Sequence, residues 1–207
     1  MTDSNAAVLS TPPSRLQPSP RALLVPLALW FFAALALSTS GLFTFERRFL
    51  VPVMLAGTTL SLVLARVFSP NFAAHLRALS SRWLVGLHVV RLPIGLAFLA
   101  LGARGELHPL FATRAGWGDV VAGGLAVVAL ALVVRGEARH RGALLVWNAL
   151  GLADIIMVVA TAQRILLGTD APEKMMRLAG FPGALLPTFL VPLVLFTHGS
   201  LFARWRP

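Results

Sequence analysis

Apolar positions along the chain fall in long blocks, with no alternation of period two. The blocks lie at about 22–43, 49–67, 83–103, 119–135, 142–165 and 183–203, separated by short polar joints. A hydrocarbon core of about 30 Å takes roughly 20 helical residues to cross, so each block is long enough to span it. Inside lipid every backbone N–H and C=O must be satisfied within its own segment, which predicts helices and not barrel strands. The expected fold is an all-α polytopic integral membrane bundle of six transmembrane helices over 21–207, with both termini on one side.

Residues 1–20 read differently. MTDSNAAVLSTPPSRLQPSP carries four prolines among Ser, Thr, Asn and Gln, a composition that buries too little apolar surface to offset ordering. It predicts a disordered cytoplasmic tail, and Asp3 with the prolines makes a poor signal-peptide start. Two joints carry patterns of their own. Phe72, Leu76, Leu79 and Trp83 recur at helical spacing after Ser69-Pro70, as in a short helix lying on the membrane surface. Asp170-Ala-Pro-Glu173 has the spacing of a capping box that opens one amphipathic turn.

Composition fits a membrane protein. Apolar residues make up 57% of the 207 positions and charged ones 13%, mean hydropathy is +0.79, and there is no Cys and no Tyr. A soluble domain needs about a quarter of its residues charged to cover its surface. The lack of Cys removes thiol chemistry and disulfides. A net charge of +10 would suggest nucleic acid in a soluble chain. Here the basic residues sit in the joints, without interleaved stacking aromatics, which points to the bilayer and away from nucleic acid. Counting Lys and Arg on alternate sides gives ten (Arg15, Arg21, Arg66, Arg77, Arg82, Arg135, Arg139, Arg141, Arg204, Arg206) against six (Arg47, Arg48, Arg104, Arg114, Lys174, Arg177). The richer side is expected to be cytoplasmic. Trp83, Trp205 and Trp117 fall where interfacial belts are expected. So small a bundle also suggests a homo-oligomer or a place in a larger membrane complex, with the glycine-rich face of the fourth helix, Gly118, Ala122, Gly123 and Gly124, as a packing surface.

The informative residues are the polar ones inside the blocks. His88, Arg91, Gly95 and Gly102 lie within an arc of about 60° on the third helix. An Arg in lipid costs about 2.5–3.5 kcal/mol, so that face must point into the protein. Pro93 frees the carbonyl of Val89 one turn from the guanidinium, and Pro187 and Pro192 free those of Gly183 and Thr188 in the sixth helix. On the fifth helix Trp147, Gly151 and Asp154 share a stripe with Asn148 at its edge. At about 1.5 Å per residue, His88, Asn148 and His198 come about 8–9 Å below the cytoplasmic ends, Arg91 about 12 Å and Asp154 about 15–18 Å. Three helices thus place polar groups in one layer, and Arg91 is expected to pair with Asp154. Such a network can fix helix register, or it can line a path for a proton, an ion or a small solute. Two histidines at equal depth on different helices are also what axial ligation of a haem b would need, with Arg91 available for a propionate. Asp119, after Gly118, reads as a cap opening the fourth helix. His108 and His140 read as solvated loop residues. A phosphate loop, a nucleophile elbow, a metal motif and paired catalytic carboxylates are missing, so no enzyme class is indicated.

Arg91-Leu-Pro-Ile-Gly95, Ala115-Gly-Trp-Gly-Asp119, Trp147-Asn-x-x-Gly151-x-x-Asp154 and Pro187-Thr-Phe-Leu-Val-Pro192 with His198 resemble a group of uncharacterised bacterial multi-pass inner-membrane proteins with no established activity. The resemblance covers about residues 83–203. It implies a bacterial inner-membrane location and draws Arg91, Asp119, Asn148, Asp154 and His198 into one constellation. The group carries Gln at position 88 more often than His, which argues against two axial histidines.

Overall fold

The computed structural model describes residues 18–205. The tail expected over 1–20 falls almost wholly outside the described residues. Pro20 already opens a 3-10 turn, Pro20–Leu23, whose preceding Ser19 Oγ accepts from the Arg21 N–H at 3.3 Å. The chain then forms α1 (Leu24–Thr39), α2 (Leu50–Phe68), α3 (Pro70–Ala78), α4 (Ser81–Gly86), α5 (Arg91–Ala103), α6 (Pro109–Gly136), α7 (Arg141–Leu166) and α8 (Val191–Trp205), and no strand occurs among the described residues. Six segments are long and apolar enough to cross a membrane: Pro20–Thr39, Leu50–Phe68, Ser81–Ala103, Pro109–Gly136, Arg141–Leu166 and Leu186–Trp205. Burial is inverted relative to a soluble domain. Phe68 and Trp83 are 76% and 75% exposed, while Arg91 and His198 are 2% and 0% exposed. That pattern is stable where the surroundings are as apolar as the side chains.

The third span changes helix type where its sequence requires. Pro93 has no N–H and its ring crowds the carbonyl of Val89, so the helix tightens into a 3-10 stretch, Leu87–Val90, between α4 and α5. The sixth span opens with a π-helical turn, Leu186–Leu190, ahead of Pro192. The Thr188 carbonyl that Pro192 cannot engage accepts instead from Trp30 Nε1 at 3.0 Å. This contact, with Phe189 against Trp30 at 4.7 Å between ring centroids, docks α1 on the bundle. Only Ala34 and Ser38 of α1 are buried, and no residue of α2 is. The close-packed core is α5 to α8.

Both ends of the described chain lie at the same end of the bundle, here the terminal end. Arg204 near the end of α8 donates to the carbonyls of Leu76 (3.3 Å), Arg77 (3.2 Å) and Leu79 (2.7 Å), supplying donors for the last turn of α3. Glu137, in the joint after α6, accepts from Ser81 Oγ (2.8 Å) and from Trp205 Nε1. Trp205 is therefore buried, and the belt position expected for it is corrected. Trp83 and Trp117 do face outward.

Four further expectations change. The fourth span begins at Pro109, ten residues ahead of Asp119, because Pro at a first helical position needs no partner for the N–H it lacks. Asp119 is thus buried in mid-helix and caps nothing. The surface helix stops at Ala78, and Trp83, on α4, leaves the face of Leu76. No capping box forms at Asp170: the residue before the 3-10 turn Pro172–Leu178 is Ala171, left-handed at φ 45°, with no side-chain cap. Asp170 instead lies 3.3 Å from Nε2 of His108, which is buried and not solvated.

Candidate functional site

The polar layer assembles around Arg91. Its Nε donates to Asp119 Oδ1 at 2.6 Å, its Nη1 to the Gly151 carbonyl at 3.1 Å, and its Nη2 to Asp154 Oδ2. One guanidinium on α5 thus holds a carboxylate on α6 and another on α7. The expected pairing with Asp154 is present. Asp119, which the residues alone suggested as a cap, is the second partner. The freed carbonyl of Val89, one turn away, is not among the guanidinium's acceptors.

Glycines make this approach close enough. A Cβ on Gly95 would sit 2.5 Å from the Gly116 carbonyl oxygen and 2.7 Å from the Val120 nitrogen, one on Gly118 would overlap the Asp154 carboxylate, and one on Gly123 would overlap Leu92. Glycines of α6 are therefore used within the chain, Gly118 against α7 and Gly123 against α5.

Nearer the terminal end lie the histidines. Asn148 Nδ2 donates to the His198 carbonyl at 3.0 Å, which turns its Oδ1 toward the ring and makes His198 Nδ1 the donor at 2.8 Å. Thr197 Oγ1 donates to the Val194 carbonyl at 3.0 Å and so accepts from His88 Nε2 at 3.2 Å. His198 Nε2 and His88 Nδ1 are left bare and buried. A Cβ on Gly151 would lie 3.2 Å from His198 Nε2 and 3.8 Å from Arg91 Nη1, so both groups meet over this glycine. The two imidazoles come together, as their equal depth suggests, but in direct contact with centroids 4.1 Å apart. An iron with its porphyrin disc between them would require the two rings to move apart. Among the described residues no three His, Cys, Asp or Glu side chains gather as a metal site would need.

Arg91 and Asp119 form the floor of an apolar cavity of about 100 Å³. Its walls come from α2, α5, α7 and the start of the sixth span, and the 3-10 turn Pro172–Leu178 roofs it with Met175 and Met176. Gln163, which no sequence motif had marked, lines it with a buried Oε1 that has no protein partner. Asp154 borders a different space, a groove of about 360 Å³ between α6 and α7 walled by Trp117, Leu150 and Trp147. Gln163 lies nine residues beyond Asp154, half a turn away around α7 at 100° per residue. That spacing was the available signal that one helix carries polar groups to two spaces.

A family model described as "Domain of unknown function (DUF8737)" matches residues 48–206. The chain belongs to that family. The match takes in α2 to α8 and every residue of the polar cluster, and leaves α1 outside it. No curated protein and no solved structure matches the chain. For this DUF8737 member the functional reading rests on the cluster itself.

Proposed function

We propose that the protein is a small membrane carrier whose trio Arg91, Asp119 and Asp154 takes up and releases a proton, passing it between the cavity beside Asp119 and the groove beside Asp154. The observation that carries this reading is that one buried guanidinium holds two carboxylates bordering different spaces. With both carboxylates ionised the trio has one net negative charge, and with one protonated it has none. Proton exchange is thus the simplest reaction that balances charge in the bundle, and intramembrane ionisable groups of this kind mark such pathways. His198 faces the trio from α8, and His88 lies beyond it on the third span. A neutral imidazole accepts a proton at its bare nitrogen and releases one from the other, which extends the route toward the terminal end. The excess of Lys and Arg on the tails and joints of that end, taken together, supports a cytoplasmic placement, in a bacterial inner membrane.

The test uses the purified protein in phosphatidylcholine–phosphatidylglycerol vesicles loaded with a pH-sensitive dye, with a potential imposed by potassium and valinomycin. Wild type is expected to acidify the lumen faster than empty vesicles, and Asp119→Asn and Asp154→Asn to lose at least tenfold of that excess. Wild-type flux equal to that of empty vesicles sinks the reading.

A further inference from the structure

We infer that the cavity beside Asp119 binds a small primary aliphatic ammonium ion, which takes the place of the exchanged proton. The inference rests on the proton reading of the trio and names the cargo that would share its charge. Two open positions of the cavity set the chemistry of the head group. Asp119 gives Oδ1 to Arg91, while its Oδ2 accepts no hydrogen bond from any described residue. Gln163 Oε1, on the same cavity, is buried without a protein partner. Both open positions are acceptors, so the complementary head group is a donor, and an ammonium is a donor only.

Charge selects within the donors. Two carboxylates around one guanidinium leave a surplus negative charge, and a monovalent cation neutralises it as a proton does. A hydroxyl would satisfy the hydrogen bonds and leave that charge. A dication would overshoot by one. The rest of the ligand must be apolar, because the walls are Ile94, Phe98, Phe111, Ile155 and their neighbours. A dry cavity of roughly 150 Å³ lined by Leu, Ile and Phe takes benzene. The present cavity, about 100 Å³, suits a chain of about four carbons by that comparison.

The probe is n-butylammonium, titrated calorimetrically into the full-length protein in detergent, with 1-butanol as the uncharged isostere. Butylammonium is expected to bind at least tenfold more tightly than 1-butanol, and binding is expected to release up to one proton, read from heats in two buffers of different ionisation enthalpy. Asp119→Asn should lose at least tenfold in affinity. Gln163→Leu, outside the trio, should lose severalfold and gives the answer if Asp119→Asn does not fold. Equal binding of butanol and butylammonium overturns the inference, as does affinity unchanged in Gln163→Leu and in a folded Asp119→Asn. Proton flux without butylammonium binding overturns this inference alone. Charge-selective binding without proton flux leaves it standing and overturns the proton reading instead.

Discussion

Arg91 Nε donates to Asp119 Oδ1 across 2.6 Å, so the third span grips the fourth at the point where glycines let their backbones meet. The same guanidinium reaches Asp154 on the fifth span. Removing one member strands the others in an apolar interior, at a cost of about 3–5 kcal/mol for a broken buried pair. Asp119→Leu and Arg91→Met are each expected to lower the resistance of the purified protein to unfolding in sodium dodecyl sulfate. Replacing all three (Arg91→Met, Asp119→Leu, Asp154→Leu) should restore much of it, because hydrophobic replacement of a whole buried ion cluster is often neutral or better. If the triple variant folds well and still passes protons in vesicles, the trio is packing and nothing more.

The sequence made the six spans and the Arg91–Asp154 pair legible for one reason. Lipid tolerates neither open backbone nor a lone charge, so run length fixes the helices and depth brings polar groups into one layer. What depth cannot supply is the rotation of one helix against the next. Depth puts His88 and His198 at one level, yet whether their rings stand apart or touch each other depends on that rotation. Asp119 misled for a local reason. Gly118 before it and the apolar run after it imitate a helix start, while the true start, Pro109, lies ten residues earlier in a more polar stretch. The contact of Trp205 with Glu137 joins residues 68 apart in the chain, and no periodicity connects them.

The glycines divide into two classes that a Tm series should separate. Gly95→Ala drives a Cβ to 2.5 Å from the Gly116 carbonyl and 2.7 Å from the Val120 nitrogen, both backbone atoms that cannot move aside. It is expected to separate α5 from α6, with a large drop in Tm and loss of any proton flux. Gly57→Ala and Gly199→Ala meet nothing within 4 Å, and alanine is the better helix former by up to about 1 kcal/mol. Their Tm should be unchanged or higher. A Gly95→Ala protein as stable as wild type would refute the close helix approach.

Trp30 holds the first span through one carbonyl that a proline left free. Trp30→Phe keeps a ring beside Phe189 and removes the donor to Thr188. Faster amide exchange along α1, with that of α6 and α7 unchanged, is the expected outcome. Exchange unaltered in α1 would mean that the ring contacts alone dock it.

At the end of the bundle opposite the termini, the loop end, Glu106 accepts from Arg104 Nε at 2.5 Å and from Arg177 Nε at 3.1 Å. These two hydrogen bonds hold its carboxyl below the ordinary value of 4.5. A carboxylate with a lowered folded-state pKa contributes its full share of stability above the ordinary value and loses it as pH falls through the lowered one. Glu106 is half-buried, its side chain 36% exposed, so solvent keeps that share small. A carbon-13 titration of its carboxyl should show a midpoint below 4.5, moving back toward 4.5 in Arg177→Met. A wild-type midpoint at or above 4.5 would show that the two arginines do not hold it in solution.

Orientation can be read from a chain that has no cysteine of its own. Lys174 and Arg139 are both exposed, the first in the turn Pro172–Leu178 at the loop end and the second in the joint between α6 and α7 at the terminal end. The two tails and the joints of the terminal end together carry the larger share of Lys and Arg, and short basic segments are retained on the cytoplasmic side. A membrane-impermeant maleimide added to intact cells should therefore label Lys174→Cys and leave Arg139→Cys unlabelled until the cells are opened. The reverse pattern would place the roofed cavity on the cytoplasmic side. The Asp119 cavity would then open inward, and the direction assigned to the histidine route would reverse with it.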